Sequence, residues 1–272
     1  MSRIRVLLAE DNPVNRELAV ALLTGMGHRV EVASNGRAVL AALEKAAYDV
    51  ILMDLQMPGL DGLETTREIR RREEAGALFT SQAGSRIPII ALTAHAVKGD
   101  RDACLTAGMD DYIAKPVRRR ELVAMVSRLV TPTGVSGPRS PSVSEPPPAS
   151  AKAFDPDRLL DGLGGNRELV RRLAAVYFET TPPLLEKIRA AIASGRPAEA
   201  ATPVHTLKGS LSQFGADPAR TCAAALEATT RKSGPDASLL AGELHRELER
   251  FDSALRQFLE DLPVETAGER KT

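Results

Sequence analysis

Four short apolar runs in the first half of the chain each stop at a side chain that could do chemistry. Ile4 to Ala9 is followed by Glu10 and Asp11, Val50 to Met53 by Asp54, Ile87 to Leu92 by Thr93, and Asp111 to Ala114 by Lys115. Three carboxylates brought together would repel one another unless a cation sat among them. Hard oxygen donors of this kind suit Mg²⁺, which takes one or two carboxylates with phosphate and water. Lys115 would add a point charge for a phosphoryl oxygen, and the Thr93 hydroxyl a hydrogen bond. With a carboxylate as nucleophile, such a set makes a phosphoryl-transfer site. A second constellation lies far along the chain, where His205 is followed by Lys208 three positions on and Gly209 four on. Neutral imidazole is an abundant nucleophile near pH 7. Lysine beside it can offset phosphoryl charge, and glycine leaves room for another protein to approach the ring.

The strand-end residues can meet only if their elements put those ends on one edge. Asn12 can cap the helix after the first strand and Pro13 suits its first turn; Val14, Leu18, Val20, Leu22 and Leu23 line that helix until Gly25 and Gly27 stop it. His28 to Ala33 reads as the second strand, with His28 a solvated edge residue, and Ser34 as the cap of a helix carrying Ala38, Leu40, Ala42 and Leu43. The third strand leads through Met57-Pro58-Gly59 and Asp61-Gly62 into a helix from Leu63 to Arg72. A fourth helix spans about Ala96 to Ala107 with Gly108 as a left-handed stop, and a fifth about Arg118 to Val130. Strands alternating with helices predict an α/β unit, a doubly wound five-stranded parallel sheet covered on both faces. Its crossovers place every strand's C-terminal end on one edge, where open α/β folds hold ligands.

The 272 residues allow two modest domains, each with its own core. Lys+Arg 36 against Asp+Glu 36 leaves no global field, which argues against nucleic acid or an anionic membrane as partner. Aromatics at 3%, with no Trp, argue against base stacking. Cys104 and Cys222 fall among Ala, Leu and Thr in helical patterns and read as buried, reduced thiols. The N-terminal apolar run is too short for a signal peptide and no run reaches transmembrane length, so the expected location is cytoplasmic. The initial Met favours a complete protein.

Thr131 to Ala153, rich in Pro, Ser and Gly, reads as a disordered tether. From Phe154 no strand pattern appears. Asp155-Pro156 opens a short helix ended by Gly164-Gly165, Asn166 caps a second, and Pro182-Pro183 fits the first turn of a third that Gly195 ends. Further helices surround His205, surround Leu226, and run from about Ala237 to Leu262, predicting an antiparallel all-α bundle. Val204, Leu207, Leu211 and Phe214 form a buried stripe, with His205 rotated off it toward solvent and Lys208 as the only charge near the ring. His245 sits on a charged face and reads as solvated, and the tail from about 263 to 272 reads as frayed.

LLAEDNPVNRELA, DVILMDLQMPGLDGLE, PIIALTAHA and GMDDYIAKPV resemble the receiver (response-regulator) family, over about residues 1–130. The resemblance implies a flavodoxin-like fold with Asp54 as phospho-acceptor and Mg²⁺ held by Glu10, Asp11, Asp54 and the Gln56 carbonyl. It also implies that Thr93 and Lys115 contact the phosphoryl group, that Tyr112 is the switch aromatic, and that Lys115-Pro116 is cis. His95, near the site, would tune access or phosphoryl lifetime. The stretch Glu73 to Ser85, which includes Phe79, is longer than in many family members and reads as a solvated loop. HTLKGS resembles the histidine phosphotransfer (HPt) domain, over about residues 154–262. That implies His205 as phospho-acceptor, Lys208 as charge partner, Gly209 as the clearance residue, and Ser212 and Gln213 on a docking face. The two resemblances together match the C-terminal part of hybrid sensor histidine kinases.

The expected function is a two-component phosphorelay, with a histidine kinase or hybrid kinase as phosphodonor and either Asp54 or another receiver exchanging phosphate with His205. A binding switch gated by phosphorylation of Asp54, with the bundle as docking module, is the alternative; it predicts function surviving loss of His205. No glycine-rich nucleotide loop or kinase ATP-binding segment is present, so the chain is not expected to use ATP itself.

Overall fold

The computed structural model describes residues 3–76, 86–93, 98–130, 152–232 and 236–263. Outside them lie the expected tether except its last two residues, the tail beyond 263, Phe79 and His95. The chain divides into two compact units, Met1–Pro146 and Pro147–Thr272. Among the described residues, no helix is long and apolar enough to cross a membrane.

In the first unit five parallel strands, β1 (Arg5–Ala9), β2 (Arg29–Ala33), β3 (Val50–Asp54), β4 (Ile89–Thr93) and β5 (Asp111–Ala114), lie in the order β2-β1-β3-β4-β5. Alternation along the strands sends Leu7, Ile51, Met53, Ile89 and Ala91 into one core cluster. Val6, Leu8, Val50, Leu52 and Ile90 are buried as well, so both faces of the sheet are covered. The connecting helices are α1 (Pro13–Gly25), α2 (Gly36–Leu43), α3 (Gly62–Glu74), α4 (Lys98–Ala107) and α5 (Arg119–Val130). This is the flavodoxin-like arrangement, in which the strand order reverses between β1 and β3 and opens a crevice at their C-terminal ends.

Two local expectations change. The cap of α2 is Asn35 rather than Ser34: its side chain accepts from the Ala38 N–H at 2.9 Å, the three-residue reach that a helix opening at Gly36 requires. His28 is 4% exposed rather than solvated, and among the described residues neither ring nitrogen has a hydrogen-bond partner.

The second unit contains α6 (Pro156–Gly162), α7 (Arg167–Ala193), a 3-10 turn (Pro197–Ala200), α8 (Ala201–Phe214), α9 (Asp217–Lys232) and α10 (Ala237–Asp261). Pro182 and Pro183 do not open a helix; they lie inside α7. Interior prolines cost about 3 kcal/mol each in an isolated helix. Here Leu173 and Tyr177 are buried before the pair and Ile188 and Ala191 after it, so packing on both sides carries the helix through. Tyr177 anchors the core, with ring centroids 5.4 Å from Phe214 and 5.3 Å from Phe251, and its hydroxyl donates to Asp252 Oδ1 at 2.8 Å. Helix α8 ends at Gly215, whose φ of 67° supplies the left-handed stop, and α9 begins two residues later.

Candidate functional site

The first site lies in the crevice between β1 and β3. Register sets Asp54 opposite Leu92 and Thr93 opposite Ala114, so Asp54, Thr93 and Lys115 end neighbouring strands in sequence. The Lys115 N–H donates to the Thr93 carbonyl at 2.7 Å, which ties those two ends together. Behind Asp54 the chain folds back tightly. The Gly62 N–H donates to the Leu55 carbonyl at 3.0 Å, and a Cβ on Gly62 would fall 2.2 Å from the Asp54 carbonyl oxygen. Glycine is required there by close backbone approach, and the neighbouring Asp61 caps α3 with Glu64 completing a capping box.

One oxygen from each of Glu10, Asp11 and Asp54 lies within 4.8 Å of the others. Lys115 Nζ donates to Asp54 Oδ2 at 2.6 Å and reaches Glu10 Oε2 at 2.8 Å. The Gln56 N–H donates to Asp54 Oδ1 at 3.2 Å; its side chain is exposed. Glu10 is almost wholly buried, and its other oxygen accepts from the Asn12 N–H at 3.3 Å and from Asn15 Nδ2 at 3.1 Å. Burial raises the Glu10 pKa above the ordinary carboxylate value; Lys115 opposes the rise and Asp54 adds to it. Burial pulls Lys115 down, but the two carboxylates outweigh it and hold the ammonium protonated well above its ordinary range. Three acids converge and two of them, Glu10 and Asp54, share one lysine; clustered hard oxygen ligands of this kind fit a divalent cation such as Mg²⁺. Thr93 is buried at the next strand end. Tyr112 is half-buried and packs on the core cluster. The Lys115-Pro116 bond is cis.

The second site is built by two adjacent helices. Val204, Leu207, Leu211 and Phe214 are fully buried, which turns His205 and Lys208 toward the edge of α8 facing α9. There Glu227 of α9 meets both. His205 Nδ1 lies 2.9 Å from Glu227 Oε1, and Lys208 Nζ donates to Glu227 Oε2 at 2.5 Å. The expectation that Lys208 is the only charge near His205 is therefore overturned, because the buried carboxylate comes from a helix further along the chain. Burial pushes the Glu227 carboxyl up, but hydrogen bonds from His205 and Lys208 outweigh it and hold it at about 2. An ionised carboxylate only accepts, so Nδ1 carries a proton, and in the neutral ring the lone pair is on Nε2. The imidazole side chain is 21% exposed. Gly209 is half-buried, as are Ser212, whose hydroxyl donates to the Lys208 carbonyl at 2.9 Å, and Gln213. His245 is half-buried, its Nδ1 3.1 Å from Arg189. Neither cysteine forms a disulfide; Cys104 is buried as expected and Cys222 only half-buried.

Sequence reasoning missed two residues that complete these sites, Asn15 and Glu227. Asn15 falls in the quoted motif and, as a poor helix former in a first turn, carried a faint signal. Glu227 carried none.

Comparison with known proteins gives two family matches: the response regulator receiver domain over residues 6–127 and the Hpt domain over residues 172–263. Sensor histidine kinase GacS of Pseudomonas protegens is 31% identical over 93% of this chain and 27% of its own length. Signal transduction histidine-protein kinase BarA of Shigella flexneri is 28% identical over 93% of this chain and 26% of its own length. The crystal structure of a sensor histidine kinase receiver domain from Pseudomonas aeruginosa PAO1, with magnesium ion coordinated in the active site cleft, is 44% identical. It covers 47% of this chain and 98% of that domain, with a TM-score of 0.41. The chain spans about a quarter of the length of the curated relatives it matches.

Proposed function

We propose, from the premise that this chain is a response regulator receiver domain followed by an Hpt domain, that it carries phosphoryl groups between proteins of a two-component phosphorelay. The observation that carries the reading is the convergence of Glu10, Asp11 and Asp54 within 4.8 Å at the strand ends, with Lys115 Nζ 2.6 Å from Asp54. The phosphodonor is a phosphohistidine on a histidine kinase or hybrid kinase. Asp54 Oδ attacks its phosphorus, the O–P bond forms as the N–P bond breaks, and the electron pair of that bond returns to the ring nitrogen, so the imidazole, whose other nitrogen already carries a proton, leaves as a neutral base. Lys115 offsets the charge that gathers on the phosphoryl oxygens, and Thr93 donates a hydrogen bond to one of them. Glu10, Asp11, Asp54 and the Gln56 carbonyl would hold Mg²⁺, which supplies charge neutralisation for the carboxylate and the phosphoryl group. Tyr112 responds to the phosphorylated state.

His205 then exchanges phosphate with Asp54 or with a receiver on another protein. Its Nε2 lone pair attacks the acyl phosphate, an N–P bond forms, and the O–P bond breaks to restore the carboxylate. Glu227 holds the Nδ1 proton throughout and stabilises the positive charge that the phosphorylated ring acquires. Lys208 provides the neighbouring cation, Gly209 the clearance, and Ser212 and Gln213 part of the docking face. The chain occupies 1–130 as receiver and 154–262 as phosphotransfer bundle, joined by the 131–153 tether and working in the cytoplasm, where kinases are charged from ATP.

The test is phosphorus NMR after adding a small phosphodonor and Mg²⁺ to wild type, Asp54→Asn and His205→Gln. A phosphohistidine signal that requires Asp54 establishes an internal relay. An acyl phosphate that never reaches His205 assigns the two sites to separate partners. Natively folded protein that never forms an acyl phosphate sinks the reading.

A further inference from the structure

Two groups that take no part in the phosphoryl chemistry above hold the Glu10 carboxylate: the Asn12 N–H and the Asn15 side chain. Asn12 explains itself as the cap of α1, its Oδ1 accepting from the Val14 N–H at 2.9 Å and the Asn15 N–H at 3.2 Å. Asn15 does not. It lies in the first turn of α1, 5% exposed, where asparagine is a poor helix former and a buried amide needs a partner. That partner is Glu10 Oε1, at 3.1 Å from Nδ2. A carboxylate accepts only, so the amide nitrogen must face it. The cap bond to its own N–H fixes where Asn15 leaves the helix, so its amide is aimed before any ligand arrives. Glu10 is thereby held by donors at Oε1 on one side and by Lys115 at Oε2 on the other.

We infer that Asn15 is a positioning residue for the cation site. It fixes the rotation of the Glu10 carboxylate, so that this acid reaches the space shared with Asp11 and Asp54 without a search. The inference rests on the proposed reading of that cluster. It assigns Asn15 a role in cation affinity rather than in chemistry on phosphate, since its amide bonds to Glu10. Groups that orient a metal ligand from behind typically change affinity by about 10–100-fold when removed.

The experiment is isothermal titration calorimetry of the full chain with Mg²⁺, for wild type, Asn15→Leu, Glu10→Gln and the double variant, with thermal unfolding recorded in chelator. Leucine matches asparagine in size and removes the donor. The expected result is a Kd roughly tenfold weaker for Asn15→Leu, with cooperative unfolding retained, and no further loss when Asn15→Leu is added to Glu10→Gln. A wild-type Kd in Asn15→Leu, or losses that add in the double variant, overturns the inference, because a purely structural amide predicts both. Should Asn15→Leu fail to fold, Asn15→Ala, which only removes atoms, carries the same titration and the same two outcomes. Wild type that binds no Mg²⁺ fails in a different place: it overturns the cation reading itself.

Discussion

At Asp54 the carboxylate lies directly under a lysine, whereas at His205 the lysine is bonded to the carboxylate that holds the ring. Each site holds one lysine, and the arrangement suits the proposed nucleophile. A carboxylate nucleophile is negative before phosphate arrives, so positive charge must sit on it. An imidazole is neutral and becomes positive when phosphorylated, so negative charge must sit behind it. The assembly also differs. The Asp54 site draws on residues 10, 11, 54, 93 and 115 at four strand ends, and needs the whole sheet. The His205 site needs one packed helix pair, α8 and α9.

The sharpest way to break this contrast is Glu227→Ala. If the carboxylate organises the imidazole, phosphoryl transfer to His205 should slow by about 100-fold, roughly 2.7 kcal/mol of barrier, while the acyl phosphate on Asp54 forms normally. Glu227→Gln should recover part of the rate, because the amide oxygen still accepts from Nδ1. Rapid-quench kinetics would detect it, and an unchanged rate in the alanine variant would leave the lysine as the only organiser at both sites.

Gly62→Ala probes the other side. A methyl aimed at the Asp54 carbonyl should cost the first unit about 1–3 kcal/mol and leave the unfolding of the second unit as in wild type. Calorimetric transitions for the two units would separate these effects; equal shifts in both would contradict a site that depends on its own sheet.

Acid should act through Glu227 on the bundle. Its carboxyl is held at about 2 against an ordinary 4.5, so the stability it contributes is complete above about 4.5 and drains away as pH falls toward 2. Denaturant unfolding of the bundle at pH 6 and pH 3 should show this loss in wild type and a smaller one in Glu227→Gln.

The smallest effect concerns His28. Burial lowers its pKa from 6.5, so the unfolded chain binds a proton before the fold does and stability declines as pH drops below 6.5. His28→Leu should flatten that decline between pH 7 and 5 and add about 1 kcal/mol, the cost of an unpartnered buried polar group. A pH profile identical to wild type would mean that the ring finds a partner in solution.

The outcome at particular residues shows which signals a sequence carries. Asp54, Thr93 and Lys115 were legible because each ends a run of strand length, and a parallel sheet puts all such ends on one edge. Val204, Leu207, Leu211 and Phe214 were legible because a buried stripe repeats with the helix period. Ser34 and Asn35 are both good caps, and only the backbone chose between them. Pro182-Pro183 resembled a helix start because local rules favour one there, and packing along α7 overrode them. His28 looked solvated because a neighbouring glycine and a strand start say nothing about what covers the ring.

By itself the sequence determined the alternation of elements, the proposed nucleophiles Asp54 and His205, and the lysines that accompany them. Tertiary structure decided the company those groups keep: Asn15 on Glu10, Lys115 shared between two acids, and Glu227 brought from 22 residues beyond His205 and 19 beyond Lys208 to hold both. Periodicity and caps are written within a few consecutive residues. A hydrogen bond between helices depends on rotation and packing that no short stretch of chain contains.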